Sequence, residues 1–184
     1  MAESVSWTWL GEPLAIDLAN TVKRDGARFQ ELWRTGEDVV AWAARQRGRV
    51  PPVPAPAAAA RLGELRAVRD DVLAVLRAAA AGGPWPRGAA GRLDARAREQ
   101  PVVAQLTAEG PVAARSLDPI DELLARAVHD AIDLARDPSR LGFCDAPSCG
   151  QLFVRGRADQ RWCGPACGTR ARVAAHARRH KRAG

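Results

Sequence analysis

Four cysteines constrain this chain more than any other feature. They are the only ones in its 184 residues, and all lie between Cys144 and Cys167. They form two close pairs, Cys144-x4-Cys149 and Cys163-x3-Cys167, separated by thirteen residues. Each pair brackets turn-forming residues: Ala146-Pro147-Ser148 in the first, Gly164-Pro165-Ala166 in the second. Each turn therefore offers two sulfurs, and four thiolates at about 2.3 Å complete a tetrahedron around one zinc ion. Such a site has no open coordination position, so the zinc is structural. Two disulfides, four unrelated buried thiols and an iron–sulfur cluster are the competing readings. Compartment and spacing weigh against the first two, and a segment this short and basic weighs against the third.

The compartment follows from the N-terminus. Met1-Ala2-Glu3-Ser4-Val5-Ser6-Trp7 has neither a basic n-region nor an apolar h-region, and no run approaches eighteen apolar residues. The expectation is a cytoplasmic chain without a membrane partner, in which clustered cysteines hold metal.

Charge is distributed unevenly. Residues 140–184 hold ten Lys/Arg and two Asp/Glu, a net of +8, whereas residues 1–139 have a net of −1. A basic module on a neutral body calls for a polyanionic partner. From Pro165 the chain has helical character to about Arg182. On a helical wheel Arg172, His176, Arg179 and His180 share one sector, while Ala166, Val173 and Ala177 lie on another side and are expected to pack on the zinc core. Arg178, Lys181 and Arg182 widen the basic surface, and Arg155, Arg157 and Arg161 extend it into the preceding loop. Arg170, nearer the apolar side, is expected to brace the module. These cations suit phosphate oxygens and guanine edges; the plainer alternative is a solvated basic tail. His176 lies nine residues beyond Cys167, about 13 Å along a helix, so neither His176 nor His180 joins the metal.

A family resemblance now becomes specific. Arg161-Trp162-Cys163 and Cys167-Gly168-Thr169-Arg170, following Cys144-Asp145-Ala146-Pro147-Ser148-Cys149, resemble the CGNR-type zinc finger, with Thr169 where that family has Asn. The loop between the pairs is shorter than usual, and Arg155 stands where an acidic residue is common. Pro13-Leu14-Ala15-Ile16-Asp17-Leu18-Ala19-Asn20-Thr21 resembles the opening of the ABATE domain, which precedes this finger in stress-induced transcription regulators. Together the two resemblances span essentially the whole chain. They imply DNA-linked regulation.

The remaining pattern is mainly α with a small β component. A helical domain over residues 1–138 precedes a treble-clef-like finger over 139–184. Val5–Leu10 reads as a short strand. Helices are expected from Leu14 to about Val22, after a capping box at Thr35–Asp38, from Leu62 through Leu76, from Ala89 to Glu99, and from Pro119 behind the cap Asp118. A looser stretch follows the first helix through Asp25-Gly26. Val50–Pro56 reads as an extended, non-helical connector. Val102–Leu106 and Val112–Leu117 flank a hairpin turn at Glu109-Gly110, and Gln151–Val154 is expected to pair with the stretch before Trp162.

In the N-terminal domain, Asp17, Asn20 and Thr21 are candidates for a small-ligand site, set against the reading that they cap and hydrogen-bond within the fold. His129 has no recognisable partner. No nucleophile elbow, P-loop, dinucleotide fingerprint or His-Glu-x-x-His segment is present, so nothing points to an enzyme. The leading expectation is a regulator whose helical domain senses a small molecule or protein effector and whose finger binds DNA. The alternative is a finger that docks an acidic protein without nucleic acid. A single recognition helix reads few base pairs, so a homodimer is expected if recognition is sequence-specific.

Overall fold

Helical periodicity organises residues 14 to 135. The computed structural model describes residues 10–25, 28–46, 48–101, 104–108, 110–113 and 118–183, with backbone alone at 24, 25, 28, 104–107, 110–113 and 181–183. The strand expected from Val5 therefore lies outside the described residues except for Leu10. The first helix, α1 (Leu14–Ala19), is buried along its whole length. It ends earlier than expected because Thr21 folds back onto Leu18, its Oγ1 donating to the Leu18 carbonyl at 2.8 Å. β-Branched Val22 then starts an extended segment, and the looser stretch is a hairpin: β1 (Val22–Asp25) pairs antiparallel with β2 (Arg28–Glu31).

The capping box forms as expected. Asp38 N–H donates to Thr35 Oγ1 at 3.4 Å, Thr35 N–H donates to Asp38 Oδ2 at 2.9 Å, and α2 (Gly36–Arg45) follows. The connector is extended only to Pro54. Ala55 and Pro56 open α3 (Ala55–Ala60), because a proline in the first helical turn gives up no internal hydrogen bond. Gly36 permits the close crossing of α2 and α3: a Cβ there would stand 2.5 Å from the Ala55 carbonyl oxygen.

The two long helices are α4 (Leu62–Ala80) and, after α5 (Arg87–Glu99), α6 (Pro119–Ala135). Asp118 caps α6 by accepting from the N–H of Ile120 at 2.7 Å. Between α5 and α6 the expected hairpin appears as β3 (Ala104–Thr107) and β4 (Gly110–Ala113); its outer residues 102, 103 and 114–117 fall outside the described ones. His129 has a partner after all, its Nε2 lying 3.2 Å from the Gln100 carbonyl oxygen. Leu65, Val72 and Leu76 of α4 meet Ile120, Leu123, Leu124 and Val128 of α6, with α1 filling the space between the two helices. Trp33 and Trp42 close one end, edge to face at 5.2 Å.

A 3-10 turn at Pro138–Arg140 leads into β5 (Leu141–Phe143), which pairs antiparallel with β6 (Leu152–Val154). The partner of β6 is thus upstream of Cys144, not the stretch before Trp162, and the first cysteine pair sits at the tip of this hairpin. The last helix is α7 (Pro165–Ala183). Knuckle, hairpin and helix make a treble-clef-like unit on a mainly helical body. The two units do not have the separate cores that a boundary at residue 138 suggests. Strand alternation sends Leu141 and Leu152 into the body's core, with Phe143 and Val154 against it, while Phe153 faces the cysteines. Gly142 lies beneath the Phe153 ring, where an added Cβ would come within 2.4 Å.

Candidate metal centre and basic helix

The knuckle brings Cys144 and Cys149 together through a tight turn. Cys149 N–H donates to the Ala146 carbonyl at 3.1 Å, and Ser148 and Gly150 take left-handed φ values of 56° and 68°. Cys163 stands just before α7 and Cys167 in its first turn. Ligand atoms of all four residues lie within 4.8 Å of one another. Cys149 and Cys163 are 3.7 Å apart at sulfur, and Cys163 and Cys167 are 3.5 Å apart. A zinc ion with four sulfurs at about 2.3 Å in a tetrahedron needs about 3.8 Å between them, whereas a disulfide needs about 2.05 Å. The cysteines are free, and their spacing fits one zinc.

Electrostatics agree. Hydrogen bonds from Cys149 and Cys163 hold the Cys144 thiol far below its usual range, and the same contacts push Cys149 and Cys163 above theirs. The sulfurs thus compete for protons, a competition that a bound dication removes. Two cations attend the cluster. Arg170 Nη2 lies 3.1 Å from Cys167 Sγ, the bracing role expected of it. From the body, Lys23 is pushed below its usual range by burial, a shift opposed by the charge of Cys149. Sequence reading missed Lys23, whose position in the hairpin β1–β2 is not visible from spacing.

The face of α7 that meets the finger differs from the one expected. Cys167 and Gly168 are buried and Ala171 is packed against the cluster, whereas Ala166 and Ala177 are exposed and Val173 is 64% exposed. A helical wheel points apolar residue types inward; the cysteine in the first turn itself sets the inward face, and the lack of a side chain at Gly168 admits the Trp162 ring, where an added Cβ would stand 3.2 Å away. Beyond Ala175 the helix leaves the protein, with every residue from His176 to His180 exposed. Arg178 and Arg179 have no ion pair among the described residues, and the rings of His176 and His180 lie 4.3 Å apart. Arg172 donates to Thr169 Oγ1 at 3.0 Å. In the loop, Arg161 pairs with Asp145 at 2.9 Å and Arg157 with Asp159 at 3.7 Å, both on the surface, while Arg155 Nε is buried. The side chains of Lys181 and Arg182 lie outside the described ones.

The three ligand candidates in α1 and its exit turn have partners within the protein. Asp17 accepts from Glu12 N–H at 3.2 Å, Gln46 Nε2 at 3.4 Å and Arg49 Nη1 at 3.3 Å. Thr21 is bonded to Leu18. Asn20 is bonded twice to the backbone of Leu152, at 2.9 Å each way. Glu12, unremarked in the sequence, accepts from Val154 N–H at 3.0 Å. A separate cavity of about 540 Å³ opens between α2, the connector and α6, lined by Val40, Ala43, Val50, Pro51, Glu122 and Arg126 among others.

Residues 12–138 match the profile of the ABATE family, described as "Putative stress-induced transcription regulator", and residues 140–180 match that of the CGNR zinc finger. Neither description is that of an enzyme. No curated protein matches the chain. Among the described residues no helix is long and apolar enough to cross a membrane.

Proposed function

Because the chain belongs to the ABATE family of regulators and ends in a CGNR zinc finger, we propose that it is a zinc-dependent, DNA-binding transcription regulator of the cytoplasm. One observation carries the reading: α7 is anchored at the cysteine cluster by its first turn and then runs free, with residues 176–180 all exposed. Nineteen residues give a rod of roughly 28 Å in length, narrow enough to enter the major groove and too polar to seek an apolar surface. Arg172, His176, Arg179 and His180 are the base-facing set. Arg178, Lys181 and Arg182 are the phosphate-facing set, joined by Arg155, Arg157 and Arg161. The helical domain senses an effector, and with Asp17, Asn20 and Thr21 engaged internally, the cavity beside Glu122 and Arg126 is the better place for one. Sequence-specific recognition by one helix calls for a homodimer.

Titrating duplex DNA at several salt concentrations tests this. About five phosphate contacts give a log–log slope near −4 to −5, and Arg178→Ala shallows it by about one unit on every sequence. A slope near zero favours the acidic-protein reading.

A further inference from the structure

The finger and the body meet along one strand. The inner edge of β6 pairs with β5; its outer edge presents the N–H groups of Leu152 and Val154 and the carbonyl of Leu152. An exposed strand edge normally needs a further strand or a cover. Here two side chains act as that strand. The Asn20 amide donates to the Leu152 carbonyl and accepts from its N–H, as a peptide group would, and the Glu12 carboxylate accepts from Val154 one step along.

Glu12 and Asn20 bracket α1, which is wholly buried and tied to α6 by the Ala15 N–H bond to Asp130 at 2.8 Å. On β6 itself, Leu152 sits in the body's core and Phe153 among the zinc ligands, both fully buried. A strand one residue thick is therefore the shared wall of two cores. We infer that Asn20 and Glu12 are positioning residues that dock the zinc hairpin onto the body as if it were one of its own strands, so that metal occupancy and the stability of the helical body are linked. This linkage is independent of what α7 contacts.

The linkage has a plain physical basis. If the hairpin leaves, Asn20 exchanges two buried hydrogen bonds for water, and the apolar surface of the body that Leu141 and Leu152 cover is exposed. Conversely, losing the Asn20 amide leaves β6 with an unsatisfied edge and frees Phe153 from its seat over the cysteines. Binding energy at the metal thus reaches α1, α4 and α6 through the strand.

The test uses the full chain, with and without zinc, following thermal unfolding and hydrogen exchange of peptides from α4 and α6. Stripping zinc with a chelator should lower the midpoint by about 5 °C or more and speed exchange in α4 and α6. In Asn20→Ala the zinc-dependent increment should shrink by more than half, and zinc loss to the chelator should accelerate about tenfold, as expected for two lost buried hydrogen bonds. If Asn20→Ala does not fold, Glu12→Ala carries the same criteria, and Glu12→Gln, which keeps the acceptor, should restore the increment. An unchanged midpoint and exchange pattern on stripping zinc would overturn the linkage. So would a variant that lowers the midpoint equally with and without zinc, since Asn20 would then serve the body alone.

Discussion

The helical body and the finger solve the same problem with different means. The body buries Leu, Val, Ile and Ala from α1, α4 and α6 with a Trp pair at one end, so its order is spread over many small contributions. The finger's own cluster is four cysteines, Ala146 and Phe153 with a few partly buried neighbours, far too little apolar surface to hold a hairpin and a nineteen-residue helix. One ion does there what a core does elsewhere. The contrast teaches where each region is fragile: the body yields gradually to substitution, the finger all at once to loss of a ligand.

The largest effect should therefore come from a ligand. Structural zinc sites contribute on the order of 10–16 kcal/mol of binding free energy, and Cys163→Ser leaves three thiolates for an ion that needs four. Elemental analysis should find one zinc per wild-type chain and a marked loss in the variant, with amide protection of α7 lost. A variant retaining full zinc and an intact α7 would break the comparison at its root.

Next in size is a substitution that belongs to both regions. Leu152 is fully buried in the body's core although it lies in the finger. Leu152→Ala should cost about 2–5 kcal/mol in the unfolding of the whole chain. Val173→Ala, at an exposed apolar residue of the same unit, should stay within about 0.5 kcal/mol. Denaturant unfolding distinguishes this from separable cores, for which Leu152→Ala would leave the helical transition untouched.

These two substitutions also mark what the sequence makes legible. The metal set was readable because thiolate chemistry leaves few alternatives for two paired cysteines, and the long helices because α4 and α6 carry broad apolar faces. Asp118 and Thr35 announced their helices through local capping, which needs no tertiary knowledge. What stayed hidden was tertiary. Val22 has helical periodicity, yet Thr21 closes the helix before it; the partner of β6 lies upstream at β5, not in the downstream stretch the spacing suggests; Val173 is apolar yet exposed, because Cys167 sets the inward face. Asn20 reads in the sequence as a ligand-site candidate or an internal hydrogen-bonding residue, and that its amide bonds a strand edge 132 residues away is not encoded in any local pattern.

A smaller effect tests how tightly the shared wall is built. Gly142→Ala places a methyl carbon 2.4–2.8 Å from three atoms of the Phe153 ring. Overpacking of this kind costs about 1–3 kcal/mol. Phe153→Leu in the same chain should recover part of that cost, because it removes the ring the methyl strikes. Thermal unfolding of the two single variants and the double variant gives the coupling; strict additivity would mean that the hairpin shifts rather than strains.

The smallest expected effect concerns the carboxylate on the strand edge, and its sign is what matters. Burial raises the Glu12 pKa above the usual 4.5; the bond from Val154 N–H lowers it and the charge of Asp17 raises it further. A carboxyl group that holds its proton more tightly when folded contributes stability fully present below the unfolded value. That contribution is lost as pH rises through the raised folded value. Above that window the charged group stays desolvated against the body. Glu12→Gln keeps an acceptor oxygen for Val154 and removes the charge, so the hydrogen bond persists, and the net change should lie within about 1 kcal/mol. The informative quantity is the difference between variant and wild type across pH. It should move in favour of glutamine from about pH 4 upward and level off once Glu12 is ionised in the folded protein. Asp130, raised in the same sense by burial, titrates in both proteins and drops out of the difference, whereas Asp17, whose charge acts on Glu12, is relieved of that repulsion in the variant and moves the difference in the same direction. A flat difference between pH 4 and 8, or one that moves toward glutamate, would mean that the Glu12 carboxylate is as well solvated as a free one. Its bond to β6 would then be an exposed contact, and the hold of the body on the finger would rest on Asn20 and the apolar side chains of β5 and β6.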